Sequence, residues 1–257
     1  MMIRYIPADP AGNLTAIVLS PVAAQDRAKI AAEMMARCPE GFEQVGFADE
    51  TSLTGDLPTL CMMGGEFCGN ATRAFACYAA KVRGRGETRL AVSVSGAREP
   101  VPVAVDLRQN RAYAQMPLPY ALEWISVNKQ KIPLVRMEGI DHALLLDAAP
   151  SPEAAERVLA AMPKQDARGV LFVQGGKMTP LVEVAATGTR VWESSCGSGT
   201  VALAWYLAQN LADGMHAFAF DEPGGRLEVR VAMRAGRAAQ IEMGGAVKLG
   251  EEAEIEL

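Results

Sequence analysis

Short runs of alternating apolar and polar residues dominate the chain, broken by stretches whose apolar residues recur at helical spacing. "NLTAIVLS", "RLAVSVSG", "VPVAVDL" and "RAYAQM" in the first half read as short strands, as do "HALLLDA", "MHAFAFDE", "RLEVRVAM" and "AAQIEM" in the second. The glycine turns between them predict mainly antiparallel pairing. Two long helices interrupt this pattern. One lies in "GGEFCGNATRAFACYAAKV" (64–82), with an apolar stripe at Ala71, Ala74, Phe75, Tyr78, Ala79 and Val82. The other, in "ESSCGSGTVALAWYLAQNL" (193–211), is apolar almost all round, as expected of a helix enclosed by sheet. Two further alanine-rich helices are predicted at Ala24–Arg37 and Pro152–Met162. Ser151 is placed to cap the latter, with Pro152 at its first position and Glu153 at the positive end of its dipole.

The pattern occurs twice. An offset of 128 brings Cys68 onto Cys196, and seven of the thirteen positions from there to Ala80 and Ala208 agree. The same offset sets Gly96, Arg98, Val101 and Val103 on Gly224, Arg226, Val229 and Val231, and an offset of 127 sets "GNLTAIVL" on "GIDHALLL". A tandem duplication is the simplest reading, with its boundary at the Pro117/Pro119 linker: residues 1–118 carry Cys68 and residues 119–257 carry Cys196. The expected class is α+β, two pseudo-symmetric domains, each with mainly antiparallel strands wrapped around a central helix whose start lies at the domain interface.

Composition narrows the function. Half of the 257 residues are apolar and the net charge of −5 is spread without a basic stripe, which argues against a nucleic-acid partner. "MMIRYIPADPAGN" has no apolar core behind a basic start, and the uncharged run 194–212 carries Ser, Gly, Gln and Asn, so neither a signal peptide nor a membrane span is expected. Five cysteines without a CxxC pair predict free thiols in a reducing cytoplasm and no metal site. Cys38, Cys61 and Cys77 read as core packing.

Cys68 and Cys196 are different, because each opens an apolar helix. A helix start offers unpaired N–H groups and a positive dipole end, and the small residues behind each thiol let an anion approach that backbone. Gly69 and Asn70 in one repeat, and Gly197, Ser198, Gly199 and Thr200 in the other, are therefore expected substrate contacts. The same location is expected to lower the thiol pKa. "CGSG" as a phosphate loop fits poorly, since no GK[ST] follows. Two equivalent thiols related by a pseudo-two-fold axis suit racemisation, in which a proton leaves one face of a carbon and another arrives on the opposite face. No cofactor is then needed, and the partner is a small-molecule amino acid, with a homodimer left open as the assembly. A disulfide between Cys68 and Cys196 would be an inactive, oxidised form.

"FCGNATRA", "SSCGSGTVALA", "AGNLTAIVL" and "PGGRLEVRV…IEMGGAVKLGEE" resemble the diaminopimelate epimerase superfamily of cofactor-independent amino-acid racemases, over the length of the chain. Proline racemases and phenazine-biosynthesis isomerases share that architecture, the latter without the cysteine pair. The resemblance implies Asn13 and Asn70 as ligand contacts and His142 as a polar partner of the first cysteine.

The departures matter. Where diaminopimelate epimerases carry "GNPH" this chain has "GIDH", so an asparagine becomes Ile140, and "AATGTRVWESSC" replaces an "ERGxGET" clamp. Only Arg190 and Glu193 remain there as charges. Glu193 is the expected replacement for the missing carboxylate beside Cys196. Glu43, an isolated charge in "GFEQVGF", reads as a buried and purposeful carboxylate, with an exposed strand face as the alternative. The catalytic set is therefore Cys68, Cys196, Glu193, Glu43 and His142. Without the distal clamp, the resemblance points toward histidine racemases of opine-type metallophore synthesis, with Trp192 available to stack on an imidazole. The alternatives are a diaminopimelate epimerase with an altered distal site and a non-catalytic amino-acid-binding protein.

Overall fold

The computed structural model describes residues 1–185 and 188–257, so Ala186 and Thr187 of the altered clamp segment lie outside the described residues. The chain begins with β1 (Met2–Asp9), β2 (Thr15–Val18), α1 (Arg27–Arg37), β3 (Gln44–Ala48), β4 (Thr59–Met62), α2 (Gly69–Val82), β5 (Glu87–Val94), β6 (Val101–Asp106) and β7 (Arg111–Gln115). It continues through β8 (Ala121–Val127), β9 (Gln130–Arg136), β10 (Ile140–Leu146), α3 (Pro152–Ala161), β11 (Ala167–Gln174), β12 (Lys177–Val184) and β13 (Thr189–Trp192). Then come α4 (Gly197–Ala208), β14 (Gly214–Glu222), β15 (Gly225–Arg234), β16 (Arg237–Ala246), β17 (Lys248–Leu249) and β18 (Ala253–Glu256). Among the described residues no helix is long and apolar enough to cross a membrane.

Two compact units result: Met1–Gln115 with Gly244–Leu257, and Met116–Met243. The expected division after residue 118 gave the closing residues to the second half. Here they join the first, because β18 pairs antiparallel with β1, Met2 against Glu256 and Tyr5 against Ala253, and β17 continues the pairing at Ala8 and Asp9.

The duplication is visible in the topology. In the first unit β2 and β3 run parallel across α1, β3 and β4 antiparallel, and β4 and β5 parallel across α2. In the second unit β10 and β11 run parallel across α3, β11 and β12 antiparallel, and β12 and β14 parallel across α4. Helical crossovers make these parallel pairs possible. The antiparallel share sits in the hairpins, such as β5–β6 and β14–β15. In the β11–β12 hairpin Gly175 and Gly176 hold φ of 58° and 80°, the mirror-turn geometry that two glycines permit.

Each central helix begins one residue after its cysteine. The stripe on α2 is buried except Val82, which is 42% exposed, and it packs against Leu60, Met62, Val92, Val94, Val101 and Val103. Phe75 is fully buried there; truncating such a ring costs about 3–5 kcal/mol. On α4 the residues Val201–Ala204 are buried, but Trp205 and Tyr206 are half-buried and Leu207 is 41% exposed. The expected all-round enclosure therefore fails in its last turn. The smaller helix α3 starts as expected, the Ser151 hydroxyl accepting the Ala154 N–H at 3.2 Å.

Candidate active site

Cys68 and Cys196 occupy the same position in their units, the N-cap of the central helix, both with extended backbone. Behind each, the threonine four residues on donates its hydroxyl to the cysteine carbonyl: Thr72 to Cys68 at 2.7 Å and Thr200 to Cys196 at 2.7 Å. The two helix starts are built alike up to this point.

Their surroundings differ. The Cys68 Sγ caps its own helix, accepting the Ala71 N–H at 3.4 Å. Burial pushes this thiol up to about 11, against the pull of the Ala71 and Asn70 N–H groups and of the Gln44 amide, all of which favour the thiolate; Glu66 adds a small push upward. Cys196 makes no cap bond with its sulfur. Its N–H goes instead to Glu222 Oε2 at 2.7 Å, and Glu222 Oε1 lies 2.6 Å from the Thr200 hydroxyl, which shares its single proton between this carboxylate and the Cys196 carbonyl. Burial holds the Cys196 thiol well above the usual range, and the charges of Glu193 and Glu222 raise it further, while the Ser198 hydroxyl and the Gly199 N–H oppose them. The expectation that a helix start lowers these pKa values is corrected: burial outweighs the dipole at both cysteines.

His142 lies on β10, fully buried. Its Nε2 lies 2.9 Å from the Ser198 hydroxyl, which in turn lies 3.5 Å from Cys196 Sγ. The hydrogen bond found for His142 thus leads to the second cysteine, where the resemblance had implied the first. Desolvation lowers the imidazole to about 3, so it is neutral at physiological pH.

Glu43 is exposed, correcting the expectation of a buried carboxylate. β3 begins one residue later, so the strand's buried polar residue is Gln44. Glu43 still reaches the site, since its Oε2 accepts the Asn13 amide at 2.7 Å. Asn13 Oδ1 receives the Gln44 amide and, at 3.2 Å, the Asn70 amide; Gln44 also donates to the Thr15 hydroxyl at 3.0 Å. Asn70 Oδ1 accepts from Arg73 at 2.8 Å. Asn13 and Asn70 are therefore buried parts of one network, and Gly69 beside them is buried at the start of α2.

Thr200, an expected substrate contact, is fully buried, its hydroxyl shared between Glu222 and the Cys196 carbonyl. Gly197 and Ser198 remain partly exposed, and Gly199 is buried. A Cβ at Gly199 would lie 2.8 Å from a Leu171 methyl and 3.3 Å from Cys196 Sγ, so the Leu171 side chain would have to shift.

Sequence reasoning missed Gln44, Arg73 and Glu222. The duplication could have flagged two of them: at the 128-residue offset Arg73 matches Val201 and Glu222 matches Val94, so a charge stands where the other repeat is apolar. All four residues are nearly or fully buried.

Further along, Trp192 on β13 is 40% exposed, its ring centroid 5.6 Å from that of Phe172. Arg190 is spent on ion pairs, Nε to Glu183 Oε2 at 2.7 Å and Nη1 to Glu156 at 3.3 Å, and Glu183 is also held by Arg168. Cys38 and Cys77 are buried and Cys61 half-buried; all five cysteines are free thiols.

Comparison with known proteins identifies the family and the fold. The family described as the histidine racemase CntK N-terminal domain matches residues 2–255. A histidine racemase of Fusobacterium nucleatum is 31% identical over 221 residues, covering 80% of this chain and 81% of that protein. A histidine racemase of Staphylococcus aureus is 26% identical over 241 residues, covering 89% and 88%. Among solved structures, a phenazine biosynthesis PhzF-family protein of Enterococcus faecalis superposes with a TM-score of 0.67 over 100% of both chains, at 17% identity, which establishes the shared fold.

Proposed function

The chain belongs to the histidine racemase family and is a racemase, and on that premise we propose that it interconverts the two enantiomers of free histidine with Cys68 and Cys196 as its two bases and without a cofactor. The observation that carries this reading is the matched placement of the two cysteines, each the N-cap of the central helix of its own repeat.

In the proposed reaction one cysteine is a thiolate and the other a thiol. The thiolate takes the α-proton as the Cα–H bond breaks, and the thiol returns a proton to the opposite face of the carbanion. The thiol and thiolate have then exchanged places, which suits the mirror-image reaction. In this reaction first-turn N–H groups behind the cysteines would hold the α-carboxylate and the charge that develops on it. Both thiols are held above the usual range, so each is a strong base once ionised, which matters against a weakly acidic α-carbon. Glu193 would raise the basicity of Cys196 through its charge, and His142, through Ser198, would orient that sulfur.

For the side chain, the engagement of Arg190 by Glu183 and Glu156 leaves this cation poorly placed to clamp a second carboxylate. Trp192 presents an aromatic face suited to an imidazole. The test is incubation of each common amino acid and diaminopimelate in deuterium oxide, read by chiral chromatography and α-deuterium content. Histidine of either configuration is expected to racemise with label, and faster than diaminopimelate in direct competition. Binding without exchange would overturn the racemase mechanism, and preferential labelling of diaminopimelate would overturn the substrate.

A further inference from the structure

Glu222, the last residue of β14, is 7% exposed. The turn it opens braces the chain ahead of Cys196, since the Gly224 N–H donates to the Ser194 carbonyl at 2.7 Å. The first unit has the same brace. At the 128-residue offset Ser194 matches Glu66, whose carbonyl accepts the Ser95 hydroxyl at 3.0 Å from the β5–β6 connection. There the residue matching Glu222 is Val94, buried in the apolar core around α2. The brace therefore stands without an acid, and a buried carboxylate is costly unless it is used.

That carboxylate reaches Cys196 directly. Its Oε2 accepts the Cys196 N–H at 2.7 Å, and Sγ lies three bonds from that nitrogen, so the charge stands within about 7 Å of the sulfur. Both residues are buried, which weakens screening between them. Half-buried Glu193 adds a second negative charge from the preceding loop, while His142, behind Ser198, is neutral. On the flanking strands Asp221 is ion-paired with Arg226 at 3.5 Å and Asp141 with Arg136 at 2.9 Å. Burial first, then the charges of Glu193 and Glu222, hold the Cys196 thiol above the usual range. At Cys68 the sulfur instead accepts the Ala71 N–H at 3.4 Å, a contact that favours the anion.

We infer that Glu222 is a positioning residue for the Cys196 half of the reaction: its carboxylate holds the backbone of that cysteine and, by its charge, keeps the proton on the sulfur. The inference rests on the two-thiol reading of the site, but its test does not pass through catalysis.

The measurement is the rate of Cys196 alkylation by iodoacetamide against pH, resolved from the other cysteines by peptide mass spectrometry, on wild type and Glu222→Gln. Glutamine removes the charge and keeps the bonds. Its oxygen can accept the Cys196 N–H and its nitrogen can donate to the Thr200 oxygen, leaving the Thr200 proton to the Cys196 carbonyl. Cys196 in Glu222→Gln is expected to react about tenfold faster at pH 8, its curve moved to lower pH, as loss of a nearby like charge requires. The Cys68 curve should not move. Should the glutamine variant fail to fold, Glu222→Val installs the residue of the other repeat. Its ultraviolet thiolate absorbance, compared with the same variant lacking Cys196, should place the Cys196 ionisation lower than in wild type, and reagent access does not enter that reading. A Cys196 curve that is unchanged or slower in Glu222→Gln, or an unshifted ionisation in Glu222→Val, would overturn the inference. Absence of racemisation in wild type with these shifts intact would instead count against the proposed function alone.

Discussion

His142 faces Gly169 across the parallel pair β10–β11, and its imidazole fills the space a Cβ would need: that atom would lie 2.2 Å from Nδ1 and 2.6 Å from Cε1. Gly169→Ala must therefore displace the ring and break its 2.9 Å link to Ser198. Overpacking of this kind costs about 1–3 kcal/mol. Thermal denaturation should show a lowered midpoint, and turnover per folded molecule should fall as well. An unaltered midpoint would mean the strand pair can open without cost.

The same histidine makes stability depend on pH. Its folded pKa is lowered to about 3 from an ordinary 6.5, so between those values the unfolded chain binds a proton that the folded chain refuses. The contribution of His142 is thus complete above 6.5 and is lost as pH falls toward 3. Urea unfolding across this window should give a shallower loss of stability for His142→Asn than for wild type. Parallel curves would show that the imidazole does not stay neutral when folded.

Alanine at either cysteine should abolish racemisation, by a factor of about a hundred to ten thousand or more, the range of a single positioned acid or base. The fold should survive, since each change removes a single sulfur atom. Chiral chromatography and circular dichroism together make the check. Near wild-type racemisation by either variant would end the two-base account.

Both thiols are held above the ordinary cysteine range, Cys68 at about 11. The thiolate fraction then grows about tenfold per pH unit below that value, so kcat/KM should climb from about pH 7 to 8.5 without a plateau. A plateau already reached at pH 7 would show that an ionised thiol exists at neutrality.

Much of this was legible beforehand. The internal duplication placed the starts of both central helices within a residue, at Cys68 and Cys196, because repetition in sequence becomes repetition in topology. What was not legible came from pairing over distance. Strand alternation alone cannot tell that β2 and β3 run parallel, since helix α1 makes that choice. Glu43 and Gln44 are neighbours, and only the start of β3 decides which of them is buried. His142 was recognised, but its partner Ser198 lies 56 residues away and is brought near by the β10–α4 packing of the second unit. Burial at the helix starts reversed the expected pKa shift, because desolvation depends on everything packed around the sulfur and the dipole only on the helix itself.

The return of β17 and β18 to β1 makes the first unit discontinuous, with the whole second unit inserted between its parts. On a ribosome, Met116–Met243 can close on itself while Ile3 and Tyr5, buried in the finished protein, still await the partners Ile255 and Ala253. Until β17 and β18 emerge, β1 offers an open edge to any passing strand. The order of completion is inverted: the unit begun first is finished last, when β17 and β18 close on β1 across the long sequence separation between them.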